Sequence, residues 1–134
     1  MVRDLDFMKG MLNVFLTADT PFISTKKLAE AGYPIDSEQG QFHYLQLVEQ
    51  GFISNKDLVT NDISKLGYMR TRGWLIDIGA DVRLTATGQE FAQSLQEPSV
   101  YEKLKDFSNA PLDVLKDVGL DVFKAVVKKK LGIE

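Results

Sequence analysis

Four polar side chains recur on one face of a predicted helix that runs from Asp36 to Gln50. At about 100° per residue, apolar residues fill more than half of its circumference and leave one stripe of Gln39, His43, Gln46 and Gln50. A glutamine amide pairs in bidentate fashion with adenine in the DNA major groove, and a histidine donates to a base or a phosphate. This stripe is therefore a candidate base-reading surface. The alternatives are an uncharged solvated face and a homodimer contact.

The predicted helix contains no Lys or Arg, so attraction to phosphate must come from its flanks. Lysines precede it on a second helix, and arginines follow it in the stretch "YMRTRGW". In a winged helix these two elements lie on either side of the third helix, where they can hold phosphates. Asp77 and Asp81 partly cancel this charge, which leaves a solvated wing as the alternative. The candidate cations are Lys26, Lys27, Lys65, Arg70 and Arg72, with Arg3 before the first helix and Arg83 at the end of the predicted wing.

Catalytic and metal-binding chemistry finds little support in the composition. The chain has no cysteine and a single histidine, which excludes disulfides, thiol nucleophiles and Cys/His zinc sites. Acidic groups such as Asp113, Asp117 and Asp121 lie at helical spacings that solvated charge explains. The stretch "GYMRTRG" lacks the Lys-Ser/Thr pair of a phosphate-binding loop. We therefore predict a protein that is not an enzyme and that has no cofactor and no metal site.

The elements that position these residues follow from apolar spacing and from capping residues. Residues 4–17 are predicted to form a first helix. Ser24 is a good N-cap for a second helix. In the third helix Asp36 is predicted to cap the N-terminus, Gln39 to complete a capping box and Gly51 to end the helix before a strand. Two short helices with a tight connection, followed by a strand, predict a helix-turn-helix.

A hairpin is predicted in the stretch "GWLIDIGADVRLT", with its turn at residues 79–81. This hairpin would be the wing. Residues 54–73 before it are polar and show no clear period. After the hairpin, Thr85 is predicted to cap a further helix that Pro98 ends.

The predicted fold class is α+β and mainly helical: a winged helix-turn-helix with a small β-hairpin wing over residues 1–98, and extra helices over 99–134. Within that C-terminal extension, Pro111 opens a long helix. Its apolar stripe must be covered by the first helix or by the same helix of a second copy, which predicts a homodimer through these two helices. The stripe consists of Leu112, Leu115, Val118, Val122, Ala125 and Val126.

Four short motifs, spread over nearly the whole chain, resemble an uncharacterised bacterial and phage family. They are an Arg-Asp-x-Asp start in "RDLDFMKGML", the helix end "HYLQLVEQGFI", the helix start "RLTATGQEF" and a Lys-rich final helix that ends in Leu-Gly. The resemblance implies a winged-helix fold and an intracellular context that is often a mobile element. It implies no catalytic residues, because the family has no assigned activity.

Two functions fit these observations. The first is a DNA-binding regulator of phage, mobile-element or bacterial origin, in which the cations hold phosphates while Gln39, His43 and Gln46 face bases. The second is a protein-interaction module, such as a modulator of a host protein, that docks through the same helix face and Trp74. The prevalence of the fold favours the first, and the net charge of −3 favours the second. We expect the regulator, in the cytoplasm and without a membrane contact, because neither a signal peptide nor a membrane span is apparent.

Overall fold

The computed structural model describes residues 1–133, so the last residue of the predicted extension 99–134 lies outside the described residues. Over this range the chain has an α+β fold with two small antiparallel sheets. No helix within it is both long and apolar enough to cross a lipid bilayer. The helices are α1 (Leu5–Leu16), α2 (Thr25–Glu30), α3 (Glu38–Glu49), α4 (Ala86–Gln96), α5 (Pro98–Leu104) and α6 (Leu112–Lys130). The strands are β1 (Ile23–Ser24), β2 (Ile53–Asn55), β3 (Tyr68–Thr71), β4 (Trp74–Asp77) and β5 (Asp81–Leu84), and short 3-10 turns span Ile63–Lys65 and Lys105–Phe107.

Three helices begin where the sequence predicts, because a side chain accepts a hydrogen bond from the first turn of each. Asp4 accepts from the backbone N–H of Phe7 at the start of α1. Ser24 caps α2 in the same way, and Thr85 caps α4 by accepting from the N–H of Gly88 at 3.1 Å. Each cap satisfies an N–H group that the helix itself leaves free. The predicted caps at Ser24 and Thr85 are confirmed.

The third helix begins later than predicted. Its N-cap is Ser37 and not Asp36, because Oγ of Ser37 accepts from the N–H of Gly40 at 3.0 Å. The carboxylate of Asp36 lies instead 3.4 Å from the backbone nitrogen of Asp77 on β4. The predicted capping box with Gln39 is therefore wrong as well. Serine and aspartate are comparable N-caps. The contact of Asp36 with β4 therefore explains why Ser37 takes the N-cap position.

The strands pair differently from the prediction. β1, β5 and β2 form a three-stranded antiparallel sheet in that order, whereas β3 and β4 form a separate hairpin. The predicted pairing of β4 with β5 across residues 79–81 is wrong, because Gly79, at a φ of +77°, redirects the chain from one sheet to the other. The true partner of β4 lies within residues 54–73, where a strand of four residues is too short to show a period.

The core lies between α1, α3, α4 and the three-stranded sheet. Its largest buried side chains are aromatic, and the rings of Phe52 and Phe91 stack with their centres 5.3 Å apart. Each side chain of this size stabilises the fold by about 1.5–3 kcal/mol when it is fully buried. Gly88 brings α4 against the backbone of Phe52, where a Cβ atom would collide with the carbonyl oxygen. Helices α1, α3 and α4 and the three-stranded sheet therefore share one core.

The C-terminal helices pack on α4. Both α5 and α6 contact α4, and α6 also contacts α5. Of the predicted apolar stripe, Leu112 and Leu115 are buried, but Val118 and Ala125 are exposed. The buried face continues instead through Gly119, whose missing side chain lets α5 approach closely. Of the two predicted covers of this stripe, the first helix contributes little, because its own apolar face packs against α4 and the core; the second copy stays a prediction.

Candidate interaction surface

The N-terminal segment covers the middle of the predicted polar stripe of α3, at His43 and Gln46, while Gln50 is half-buried. The side chain of His43 is buried, with 1% of the residue exposed. Its Nδ1 lies 2.8 Å from the carbonyl oxygen of Gln39, and its Nε2 lies 2.9 Å from the backbone nitrogen of Asp4. Because a backbone N–H can only donate, Nε2 is the acceptor and the proton is on Nδ1. Burial lowers the pKa of His43 and favours this neutral ring, so the prediction that His43 faces a ligand is wrong.

Gln46 is also engaged inside the protein. Its amide oxygen accepts a hydrogen bond from Nε of Arg3 at 2.8 Å. The Nη1 of Arg3 donates further to the carbonyl oxygens of Ser108 at 2.9 Å and Ala110 at 2.6 Å. Arg3 therefore joins α3 to the loop that precedes α6, and it is not a free phosphate contact. Gln39 remains as the exposed member of the predicted stripe.

The face of α3 that meets solvent is acidic at its ends and apolar between them. Glu38 and Glu49 are exposed, and Phe42 and Leu45 are half-buried between them. At about 100° per residue these four residues lie on one side of the helix. Because Glu38 and Glu49 are the charged groups of α3 and both are negative, this face repels phosphates. Its charge is opposite to the one that contact with a nucleic-acid backbone requires.

Besides Arg3, one predicted cation is bonded to the hairpin, one is half-buried and four are exposed. Nζ of Lys26 donates to the carbonyl oxygen of Asp77 at 2.6 Å and lies 4.0 Å from the Asp77 carboxylate. Lys26 therefore fastens α2 to β4. Arg83 is half-buried in the other sheet, on β5. The exposed cations are Lys27 on α2, Lys65 in the 3-10 turn, Arg70 on β3 and Arg72 in the turn between β3 and β4.

The outer face of the β3–β4 hairpin is largely apolar and open to solvent. Met69 pairs with Ile76, and Thr71 pairs with Trp74. Because side chains alternate along a strand, these four side chains share one face, which we call the hairpin patch. Met69 is 48% exposed and Trp74 is 68% exposed. The sequence indicated Trp74 as a partner contact but missed Met69, because β3 was not recognised as a strand.

A buried polar network fixes the base of this hairpin. Oδ1 of Asp77 accepts from the hydroxyl of Thr25 at 2.7 Å and from the N–H of Gly79 at 2.9 Å. On the paired strand, the hydroxyl of Tyr68 donates to the carbonyl oxygen of Ile35 at 2.7 Å. Satisfied networks of this kind are rigid, because each lost bond would leave a buried polar group without a partner. The hairpin patch is therefore held at a fixed orientation to α2 and α3.

A groove of about 380 Å³ lies between the hairpin and α3. Gln41 of α3 and Ile63 of the first 3-10 turn line one part of it, and Arg70, Trp74 and Leu75 line the hairpin part. Trp74 therefore belongs both to the hairpin patch and to the groove. The rest of the hairpin lining, Arg70 and Leu75, lies on the face opposite the patch, so a partner segment would reach the groove only by passing around Trp74.

Comparisons with known proteins identify no relative. No protein-family model, no curated protein and no solved structure matches the chain. The resemblance to a phage family stays a prediction. The hydrogen bonds that cover α3 could not be predicted from the sequence. The Arg3–Gln46 and Asp4–His43 pairs are 43 and 39 residues apart, whereas sequence patterns report contacts between residues only a few positions apart.

Proposed function

We propose that this protein is a protein-interaction module that docks on another protein through the hairpin patch. The observation that carries the proposal is the exposure of Trp74 and Met69 on a hairpin whose base is fixed by Asp77. Tryptophan and methionine are enriched in protein interfaces, and a tryptophan that fills a partner pocket often dominates the affinity. A rigid hairpin presents such anchors with little loss of conformational entropy on binding.

The partner surface that fits the patch is an apolar pocket with carboxylates at its rim. Arg72 is exposed in the turn next to Trp74, whereas Arg70 lies on the other face of β3, and an arginine binds a carboxylate in bidentate fashion. Rim charges of this kind act mainly on the association rate, so binding should slow as salt is added. The resemblance to a bacterial and phage family indicates where to look for this partner. The candidate is a cytoplasmic protein of a bacterium that carries a phage or mobile element.

The solvent face of α3 favours a protein partner over DNA. In a DNA-binding winged helix this face would approach the phosphates, yet it presents Glu38 and Glu49. Two candidate contacts, His43 and Gln46, are used within the protein, and Lys26 binds Asp77. Of the cations that remain exposed, Lys65 and Arg70 lie close to the carboxylate of Asp62, which partly cancels their charge.

Site-specific photo-crosslinking in bacterial cells identifies the partner. A benzophenone amino acid at position 69, inside the hairpin patch, is expected to capture it. The same amino acid at position 107 is the control, because Phe107 is 64% exposed but lies outside the patch. Capture of the same protein from both positions would contradict a specific contact.

The affinity for the captured protein is then measured by calorimetry with purified components. Trp74→Ala is expected to weaken binding at least about tenfold, the loss typical of an interface anchor. Phe107→Ala removes an aromatic ring of similar exposure and is expected to leave the affinity unchanged. Equal effects of the two variants would overturn the assignment of the patch.

A DNA-binding regulator is the second candidate, and the order of elements favours it. Helices α1, α2 and α3 precede a sheet in which β5 lies between β1 and β2, an order that fits a winged helix whose wing is enlarged by the β3–β4 hairpin. Arg70 and Arg72 supply exposed cations on that enlarged wing. We retain the winged-helix assignment as part of this proposal.

Fluorescence anisotropy with duplex DNA at about 50 mM salt separates the two candidates. A DNA-binding regulator would bind, and Arg70→Ala/Arg72→Ala would abolish that binding while Trp74→Ala spared it. The interaction module predicts no binding by the unmodified protein. Salt-sensitive binding that depends on the two arginines would therefore replace our first candidate with the second.

A further inference from the structure

An apolar groove runs beside the C-terminal half of α6. It has a volume of about 370 Å³ and is lined by Leu120, Phe123 and Val127 of α6, with Lys124 and Lys128 of the same helix and Glu90 of α4 also contributing. Leu131, which is 67% exposed, continues the same helical spacing just beyond α6. Contiguous apolar surface at a spacing of three and four residues is the pattern by which one helix packs on another.

Charges of opposite sign are segregated along the solvent side of this groove. Asp117 and Asp121 come first, and Lys124 and Lys128 follow them; all four are exposed. At about 100° per residue they lie within one flank of the helix. Neither lysine forms an ion pair with another residue of the described range 1–133. A helix with this charge order complements a second copy of itself only when the two run in opposite directions.

We propose that α6 pairs antiparallel with α6 of a second copy of this chain, with Leu120, Phe123 and Val127 forming the seam. A two-fold axis perpendicular to the helices places the same charged flank of both copies side by side. When Leu120 lies opposite Val127 of the second copy, Asp121 lies within about 3 Å along the axis of both Lys124 and Lys128 of that copy. In a parallel pair, lysine and aspartate would each lie level with their own kind.

Sedimentation equilibrium of the full chain over a range of protein concentrations measures the association. Val127→Glu places a charge in the seam and is expected to weaken the dimer at least about a hundredfold. Val118→Glu is the matched control, because Val118 is 43% exposed against 37% for Val127 but lies on the opposite flank of α6. A chain that is monomeric at every concentration, or a dimer that both substitutions disrupt equally, overturns the proposal.

Charge reversal tests the pairing of the two ends. Lys124→Glu/Lys128→Glu is expected to weaken the dimer about tenfold at low salt, because carboxylates then meet carboxylates. Adding Asp117→Lys/Asp121→Lys in the same chain reverses both ends and is expected to restore the dimer. Failure of this fourfold variant to recover, while its circular dichroism matches that of the unmodified chain, contradicts the antiparallel arrangement.

Crosslinking measures the direction of the helices, and the absence of cysteine gives a clean background. Lys124→Cys lies near the two-fold axis and is expected to crosslink with a short bis-maleimide. Leu131→Cys is expected to stay uncrosslinked, because its two copies would be about 22 Å apart at 1.5 Å per residue. Efficient crosslinking at position 131 would show a parallel pair and refute the antiparallel arrangement. Trp74→Ala serves as an independence check, since loss of the hairpin patch should leave the dimer intact.

Discussion

Replacement of Asp77 by alanine tests whether the buried network holds the hairpin in place. The substitution removes the acceptor for the hydroxyl of Thr25 and for the N–H of Gly79. Thr25 is fully buried, whereas Gly79 is exposed and can bond to water. A buried donor without an acceptor costs about 1–3 kcal/mol, and the loss at the exposed site is smaller. We therefore expect Asp77→Ala to lower the free energy of unfolding by about 2–3 kcal/mol.

Urea denaturation followed by circular dichroism measures this loss. The midpoint should fall while the slope m stays constant, because the folded state buries the same surface. Hydrogen exchange adds local information: amides of β3 and β4 should exchange faster in the variant, and amides of α4 should keep their relative protection. Asp77→Asn keeps an acceptor oxygen, so its loss should be clearly smaller than that of alanine.

Asp81→Ala is the matched control for this experiment. Asp81 pairs with Lys56 at 2.8 Å, but both side chains are largely exposed, and surface pairs of this kind contribute little to stability. The two aspartates lie four positions apart in the same part of the chain, so they differ mainly in burial. If Asp77→Ala and Asp81→Ala have the same effect, the buried network does not anchor the hairpin and the reasoning is refuted.

Three further outcomes are expected. Gly40→Ala should cost about 1–3 kcal/mol in urea denaturation, because its Cβ would collide with the carbonyl oxygen of Pro34. Burial lowers the pKa of His43 in the folded protein. The stability that the neutral ring provides should therefore be complete above the ordinary pKa of 6.5 and be lost as the pH falls toward the folded pKa. His43→Gln should remove this loss of stability when denaturation is measured at a series of pH values. Arg3→Met should speed hydrogen exchange at residues 108–110, whereas Arg83→Met should not.

Local chemistry explains which parts of the fold the sequence could predict. The caps at Ser24 and Thr85 depend on a side chain and an N–H two or three residues later, so the sequence contains all of the information. The α+β class follows in the same way from helical spacing and short apolar segments. By contrast, Asp36 was assigned to the wrong role because the group that attracts it, the N–H of Asp77, is 41 residues away.

The candidate site was only partly predictable for the same reason. The pairing of β3 with β4 depends on buried contacts at the hairpin base, including the Thr25–Asp77 bond across 52 residues. Without that pairing the sequence cannot show that Met69 and Ile76 join Trp74 on one face. Residue type alone made Trp74 a candidate, but its neighbours follow from the register.

The absence of a cation at positions 43 and 46 of α3 has an internal explanation. The two polar side chains that meet the N-terminal segment both face donors: His43 meets the N–H of Asp4, and Gln46 meets the guanidinium of Arg3. A lysine or arginine at either position would place donor against donor, and at position 46 it would bring a second positive charge against Arg3. The imidazole and the amide are therefore required as acceptors. Helix α3 joins the N-terminus to the domain, and the proposed contacts lie elsewhere, on the hairpin patch and on α6.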